Sequence, residues 1–157
     1  MSAGRVPDAD APDEWRGRLL DTPALLRALL ERTNRIAVLG VKTPESRAPA
    51  YYVPDYAYRA GYDVIPVPVS YPEMRELFGN PVYRTLAAIP GDIDLVDVFR
   101  RPQDIPSHVD DILAKRPRAV WFQSGIRHDA VAEKLARAGI AVVQDRCLMV
   151  ELQRIGR

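Results

Sequence analysis

A single cysteine and two histidines stand in these 157 residues. One thiol builds no disulfide framework, and so few Cys and His side chains cannot make the usual zinc clusters. Charge of one sign is missing as well. Lys plus Arg number 22 against 21 Asp plus Glu, a net charge of +1, so the dense cationic surface of a nucleic-acid binder is not expected. Long hydrophobic runs are absent too. The longest, 36–41, falls far short of the roughly 20 residues that span a bilayer. The first twenty residues carry Asp8, Asp10, Asp13 and Glu14 and no apolar stretch, unlike a secretory signal. The expectation is a soluble, cytoplasmic chain with one core, since about 150 residues suit a single domain.

What is present is a regular alternation. "RIAVLG" (35–40), "YDVIPV" (62–67), "IDLVDVF" (93–99), "AVWFQ" (119–123) and "IAVVQD" (140–145) are short runs rich in Val and Ile. Nearly continuous apolar character implies cover on both faces, as in a parallel sheet. Helical patterns separate or flank them. The first, in "DTPALLRALLERTN", has Asp21 or Thr22 to cap it, Pro23 in its first turn and a stripe of Leu25, Leu26, Leu29 and Leu30. Others cover about 50–60, 103–115, 129–138 and 148–155, the second ending before Pro117 and two more at Gly61 and Gly139. Residues 1–14, polar and proline-bearing, are expected to be a flexible tail ahead of a domain over 15–157; whether Trp15 docks on the body stays open.

Strands and helices alternating in this way specify an α/β fold, a doubly wound and mostly parallel sheet. Most of the fourteen prolines fall outside strand interiors. Pro66 and Pro68 stand at the carboxyl end of a strand, where a ladder bond can be spared, and Pro54 lies early in its helix. In the irregular 69–92 segment, "NPVY" reads as a short edge strand and "TLAAIP" as one helical turn.

In such a sheet ligands bind beyond the carboxyl ends of the strands. The loop "GVKTPESRAPAYY" follows the first strand and opens a helix. Lys42, Thr43, Ser46 and Arg47 supply two cations and two hydroxyls there, suited to a phosphate. "VFRRP" adds Arg100 and Arg101, and "WFQSGIRHD" adds Gln123, Ser124, Gly125 and Arg127. Three cationic loops suggest an elongated polyanion; alternatively Arg100 or Arg101 pairs with Asp97 or Asp104. The dinucleotide fingerprint G-x-G-x-x-G and the P-loop are both absent, and the second strand ends without the carboxylate that would hold a ribose 2′-hydroxyl. No reacting group emerges. Cys147 reads as a small packed hydrophobe, His128 as a helix cap or ligand contact, and His108 as solvated. Ser124 lacks the G-x-S-x-G elbow, and Asp94 and Asp97, three apart on a strand, lie on opposite faces.

"AVLGVKTPESRAPAYYVPDYAYRAGYDVIPVPV", "LAAIPGDIDLVDVFRRPQDIP" and "AVWFQSGIRHDAVAEKLARAGIAVVQDRCLMVE", in that order, resemble the small stand-alone CoA-binding proteins. These are similar to the CoA-binding Rossmann domain of the succinyl-CoA synthetase alpha subunit. The resemblance covers about 22–155 and rests on "DVFRRP", W-x-Q-x-G and "DRC" taken together. It implies a Rossmann-like domain of strand order 3-2-1-4-5-6, with "NPVY" as a vestigial third strand. It implies coenzyme A or an acyl-CoA as ligand, its phosphates held by Gly40, Val41, Lys42, Thr43, Arg47 and the helix start at Tyr51. Pro66, Val67 and Pro68 would approach the adenosine, and Phe99, Arg100, Arg101, Gln123, Ser124, Gly125 and Arg127 would line the remainder. Pro68 stands where the family commonly has Asn, which removes one side-chain hydrogen bond. The synthetase's second domain, with its phosphorylated histidine, has no counterpart in this chain. The resemblance therefore implies binding without catalysis of its own; the alternatives are a CoA-binding subunit of a separate acyl-CoA ligase or transferase, and an NAD(P)-binding regulator. Neither a metal nor a nucleic-acid or membrane partner is expected.

Overall fold

Side chains branched at Cβ favour extended backbone, and the Val- and Ile-rich runs are strands. The computed structural model describes residues 13–157. Its strands are β1 (Arg35–Leu39), β2 (Asp63–Val67), β3 (Glu76–Leu77), β4 (Asn80–Pro81), β5 (Leu95–Val98), β6 (Ala119–Phe122) and β7 (Ala141–Val143). Its α-helices are α1 (Pro23–Glu31), α2 (Pro49–Arg59), α3 (Val109–Lys115), α4 (Asp129–Arg137) and α5 (Leu148–Arg154). Thr22 caps α1 by accepting the Leu25 amide hydrogen at 3.3 Å. The expected tail lies outside the described residues except for Asp13 and Glu14. Trp15, in a 3-10 turn over Glu14–Arg18, is buried, with the Arg16 and Arg137 guanidinium groups 4.5 and 5.0 Å from its ring centroid.

Five parallel strands form one sheet in the order β2-β1-β5-β6-β7. Alternate residues face opposite layers, and both layers are apolar. Ile36, Val38, Val64 and Trp121 pack with Leu26 and Leu30 of α1, Val53 and Ala57 of α2, and Leu148 and Leu152 of α5. Ala37, Leu39, Val96 and Phe122 pack with Val109 and Ile112 of α3 and with Val131 and Leu135 of α4. Each face is thus sealed by helices, which is what unbroken apolar strands require.

The third strand of the implied order 3-2-1-4-5-6 is not in this sheet. Asn80–Pro81 pairs antiparallel with Glu76–Leu77 as a separate two-stranded ribbon. The hydrogen bonding of β2 explains why. The Asp63 amide donates to Asn34 and the Val67 carbonyl accepts from Gly40, so odd positions face β1 and even ones face outward. Pro66 and Pro68 are even positions and carry no N–H, so a third strand would meet missing donors along that edge. The outward carbonyls are satisfied otherwise: Val64 accepts from the Asn80 side chain at 2.7 Å and Pro66 from the Tyr83 amide at 3.1 Å.

Two local expectations also differ. The helix over 103–115 divides into a 3-10 segment, Pro102–His108, and then α3. Pro106, without an amide hydrogen, cannot sustain α-helical bonding through that stretch. "TLAAIP" is an irregular turn, not a helical one. Its Leu86 and Ala87 amides donate to the Asp111 carboxylate at 2.7 and 3.0 Å.

Candidate functional site

From β1 the chain passes to β2 on one side, then crosses back to β5 on the other, so the strand order reverses between β1 and β5. Loops leaving two adjacent strands diverge at such a point and leave a crevice. Gly40 begins the first of these loops with φ +88°, and an added Cβ would lie 2.3 Å from the Phe99 carbonyl oxygen. The two exits therefore touch through a position that only glycine occupies without strain.

The loop after Gly40 is tied down by its own backbone. Thr43 leads into a 3-10 turn over Pro44–Ser46, and Arg47 takes the left-handed conformation. The Ser46 hydroxyl donates to the Thr43 carbonyl at 2.6 Å and accepts the Ala48 amide hydrogen at 3.2 Å. In α2, Pro54 lacks the amide that would bond the Ala50 carbonyl four residues back. That carbonyl accepts from the Lys42 amide instead, at 3.1 Å. A proline inside the helix thus frees the acceptor that anchors the loop.

The crevice is a cleft of about 750 Å³. Lys42 and Ala48 come from the first loop, and Pro49, Ala50, Tyr52 and Val53 from the start of α2. Phe99, Arg100, Arg101 and Pro102 follow β5, while Gln123, Ser124, Gly125 and Ile126 follow β6. Cys147, just before α5, and Met149 and Val150 of α5 complete the wall. Three cations and no carboxylate line it, and the opposite wall is largely apolar. An anion with an apolar body matches that division, because cations attract phosphates while aliphatic and aromatic surface takes the rest.

The cations differ. Arg101 is exposed and its Nε lies 2.8 Å from Asp104. Arg100 is three-quarters buried, 3.8 Å from the same carboxylate, and its Nε donates to His108 Nε2 at 3.1 Å. Asp104 is therefore the partner; Asp97, weighed as another, makes no ion pair and both its oxygens lack a hydrogen bond among the described residues. His108, expected in water, is partly buried, and burial together with the Arg100 charge lowers its pKa.

Of the residues read from the sequence, Lys42, Phe99, Arg100, Arg101, Gln123, Ser124 and Gly125 meet in the cleft. Gly40 and Val41 lie behind it, the latter buried. Thr43 and Arg47 are not among its lining residues, and Tyr51 stacks on Phe78 with ring centroids 5.8 Å apart. Pro66, Val67 and Pro68 are buried at the sheet edge, apart from the lining. Arg127 pairs with Asp129 at 3.0 Å, also off the lining. The wall from α5 had no signal in the sequence, since an apolar residue facing a cleft reads like one facing a core.

Two polar groups here are already engaged. The Gly125 amide donates to Asp145 at 2.6 Å, and Gln123 Oε1 accepts the Leu148 amide hydrogen at 3.0 Å. His128 caps α4, its Nδ1 accepting from Val131 at 3.1 Å. Cys147 is partly exposed in the cleft wall. The Gly125 amide is thus not free for an anion, whereas the side-chain cations reach the cleft. Among the described residues no cluster of metal-ligating side chains occurs, and no helix is long and apolar enough to cross a membrane.

Residues 34–153 match the family described as CoA binding domain. A Bacillus subtilis (strain 168) protein, the uncharacterized protein YneT, is 32% identical over 127 residues, 81% of this chain and 91% of its own. A Thermus thermophilus protein, described as cell-free ID.343, has a solved structure with 44% identity. It superposes with a TM-score of 0.78, covering 86% of this chain and 99% of its own. A hypothetical protein from Pyrococcus horikoshii OT3 is 32% identical with a TM-score of 0.76, covering 86% and 92%.

Proposed function

As this chain belongs to the CoA binding domain family, we propose that it binds coenzyme A or an acyl-CoA in the cleft beyond β1, β5 and β6, without catalysis of its own. The observation that carries the reading is the lining itself: Lys42, Arg100 and Arg101 with no carboxylate, facing apolar surface from α2 and α5. Coenzyme A has both halves, phosphates at one end and a pantetheine arm at the other. The cations serve the first and the apolar wall the second. Gly40, Val41, Thr43, Arg47 and Tyr51, on the same loop and helix but outside the lining, belong to the proposed site as its flanks. Pro66, Val67, Pro68 and Arg127 belong to it where a long ligand extends past the rim of the cleft. NAD is disfavoured because β2 ends at Val67 and is followed by Pro68, without the acid that a free ribose 2′-hydroxyl needs.

Calorimetry at fixed ionic strength tests this. Coenzyme A is expected to bind more tightly than dephospho-CoA, and dephospho-CoA more tightly than NAD, with gaps that narrow as salt screens the phosphates. NAD binding as tightly as coenzyme A would sink the reading. Arg100→Ala is expected to weaken coenzyme A binding by roughly ten- to a hundred-fold, since a charge-assisted hydrogen bond contributes about 1.5–3 kcal/mol. Unchanged affinity in that variant would remove Arg100 from the site.

A further inference from the structure

Resting on coenzyme A as the ligand of this cleft, we propose that His108, which does not line it, is the positioning residue for Arg100. It fixes the guanidinium so that its terminal nitrogens meet a phosphate of the ligand.

The geometry has three parts. Arg100 Nε donates to His108 Nε2 at 3.1 Å, both side chains partly buried. Among the described residues the terminal nitrogens of Arg100 donate no hydrogen bond, and the nearest carboxylate, Asp104, stands 3.8 Å from Nη2. The same arginine lines the cleft. One edge of the guanidinium is therefore held from behind, and the terminal pair is left for an incoming anion.

The choice of holder matters. A guanidinium is planar, so fixing Nε sets the plane in which the other donors lie. A carboxylate at position 108 would fix it too, but would cancel its charge and repel a phosphate. A neutral imidazole orients without cancelling. For Nε2 to accept, the ring must be neutral with its proton on Nδ1. Burial and Arg100 favour that form, against the opposing pull of Asp111 and Asp104. Arg101 shows the contrast: its Nε is 2.8 Å from Asp104, and its side chain is mostly in solvent.

The backbone explains why His108 reaches this place. Pro102 opens a 3-10 segment that contains Pro106 and ends at His108. With about three residues per turn instead of about 3.6, this segment sets the imidazole against Arg100, eight residues earlier, a pairing that α-helical spacing would not suggest.

The test measures coenzyme A affinity of the full chain and of His108→Ala, His108→Gln, Arg100→Ala and the Arg100→Ala/His108→Ala double variant, with thermal melting of each. His108→Ala is expected to weaken binding by about five- to ten-fold, as for a lost positioning bond. His108→Gln, whose amide oxygen can accept from Arg100 Nε, is expected to restore affinity to within about two-fold. In the Arg100→Ala background the His108 change is expected to add nothing. Wild-type affinity in His108→Ala, an undiminished effect in the double variant, or failure of glutamine to rescue would each overturn the proposal while leaving coenzyme A as ligand. Failure of the unaltered chain to bind coenzyme A would overturn both readings. Nitrogen NMR of the imidazole supplies a check that no folding defect can blur: a proton on Nε2 in the unaltered protein refutes the arrangement outright.

Discussion

Gly40→Ala is expected to lower stability by about 2–5 kcal/mol. Two penalties combine. An alanine forced to the left-handed φ of +88° costs about 1–2 kcal/mol. A Cβ placed 2.3 Å from the Phe99 carbonyl oxygen and 3.2 Å from Arg100 Cδ then overpacks the contact, which costs about 1–3 kcal/mol more. The second penalty is not relieved by a side-chain rotation, because the oxygen belongs to the backbone leaving β5. Relief requires the β1 and β5 exits to part, and those exits carry Lys42 and Arg100. The variant that does fold is therefore expected to bind coenzyme A less tightly as well. Denaturant unfolding measures the first effect, and a loss under 1 kcal/mol would show that the exits yield easily.

The second large effect concerns Asp97. It stands at the centre of the sheet, opposite Val38 of β1 and Trp121 of β6, fully buried and without a hydrogen-bond partner among the described residues. Burial alone raises its pKa well above the ordinary 3.8. The consequence for stability has a definite sign. Below the unfolded value the carboxyl is neutral in both states and pH has no effect through it. As pH rises past that value, the unfolded chain ionises and gains hydration while the folded chain holds its proton. Stability then falls by about 1.4 kcal/mol per pH unit, until the folded pKa is passed. Asp97→Asn keeps the shape and removes the proton, so its stability relative to the unaltered chain is expected to climb with pH from about 4 upward. Unfolding free energies at a series of pH values measure this. A stability difference that does not vary with pH would mean that Asp97 is hydrated or paired in solution. One row further along the same strand face stands Phe99, in the cleft wall, so the buried carboxyl lies directly behind the site.

Much of this was open to reading from the chain. Strand runs apolar on both faces, mostly separated by amphipathic helices, favour packing as a doubly wound sheet. Arginines directly after the β5 run, and a cationic loop after the β1 run, could be placed at one end of that sheet because strand direction is common to all parallel strands. The glycine that starts the first loop was visible for the same reason.

The remainder depended on contacts between segments far apart in sequence. Asp97 reads as an ordinary residue in "LVDVF", and only the packed layers from α2 and α5 deprive it of water. His108 reads as solvated until the 3-10 segment returns it to Arg100. The two prolines of "PVPV" look harmless at a strand end, yet their outward direction, set by which residues face β1, keeps a third strand off the sheet. Arg47 and Tyr51 belong to the right loop and helix but not to the lining, because a left-handed turn and a stack on Phe78 direct them elsewhere. Periodicity and loop chemistry are local properties, and they determined the architecture and the end of the sheet at which the cleft opens. Burial, orientation and the choice of partner are properties of the assembled layers, and tertiary structure alone decided which of the nearby charges face the cleft.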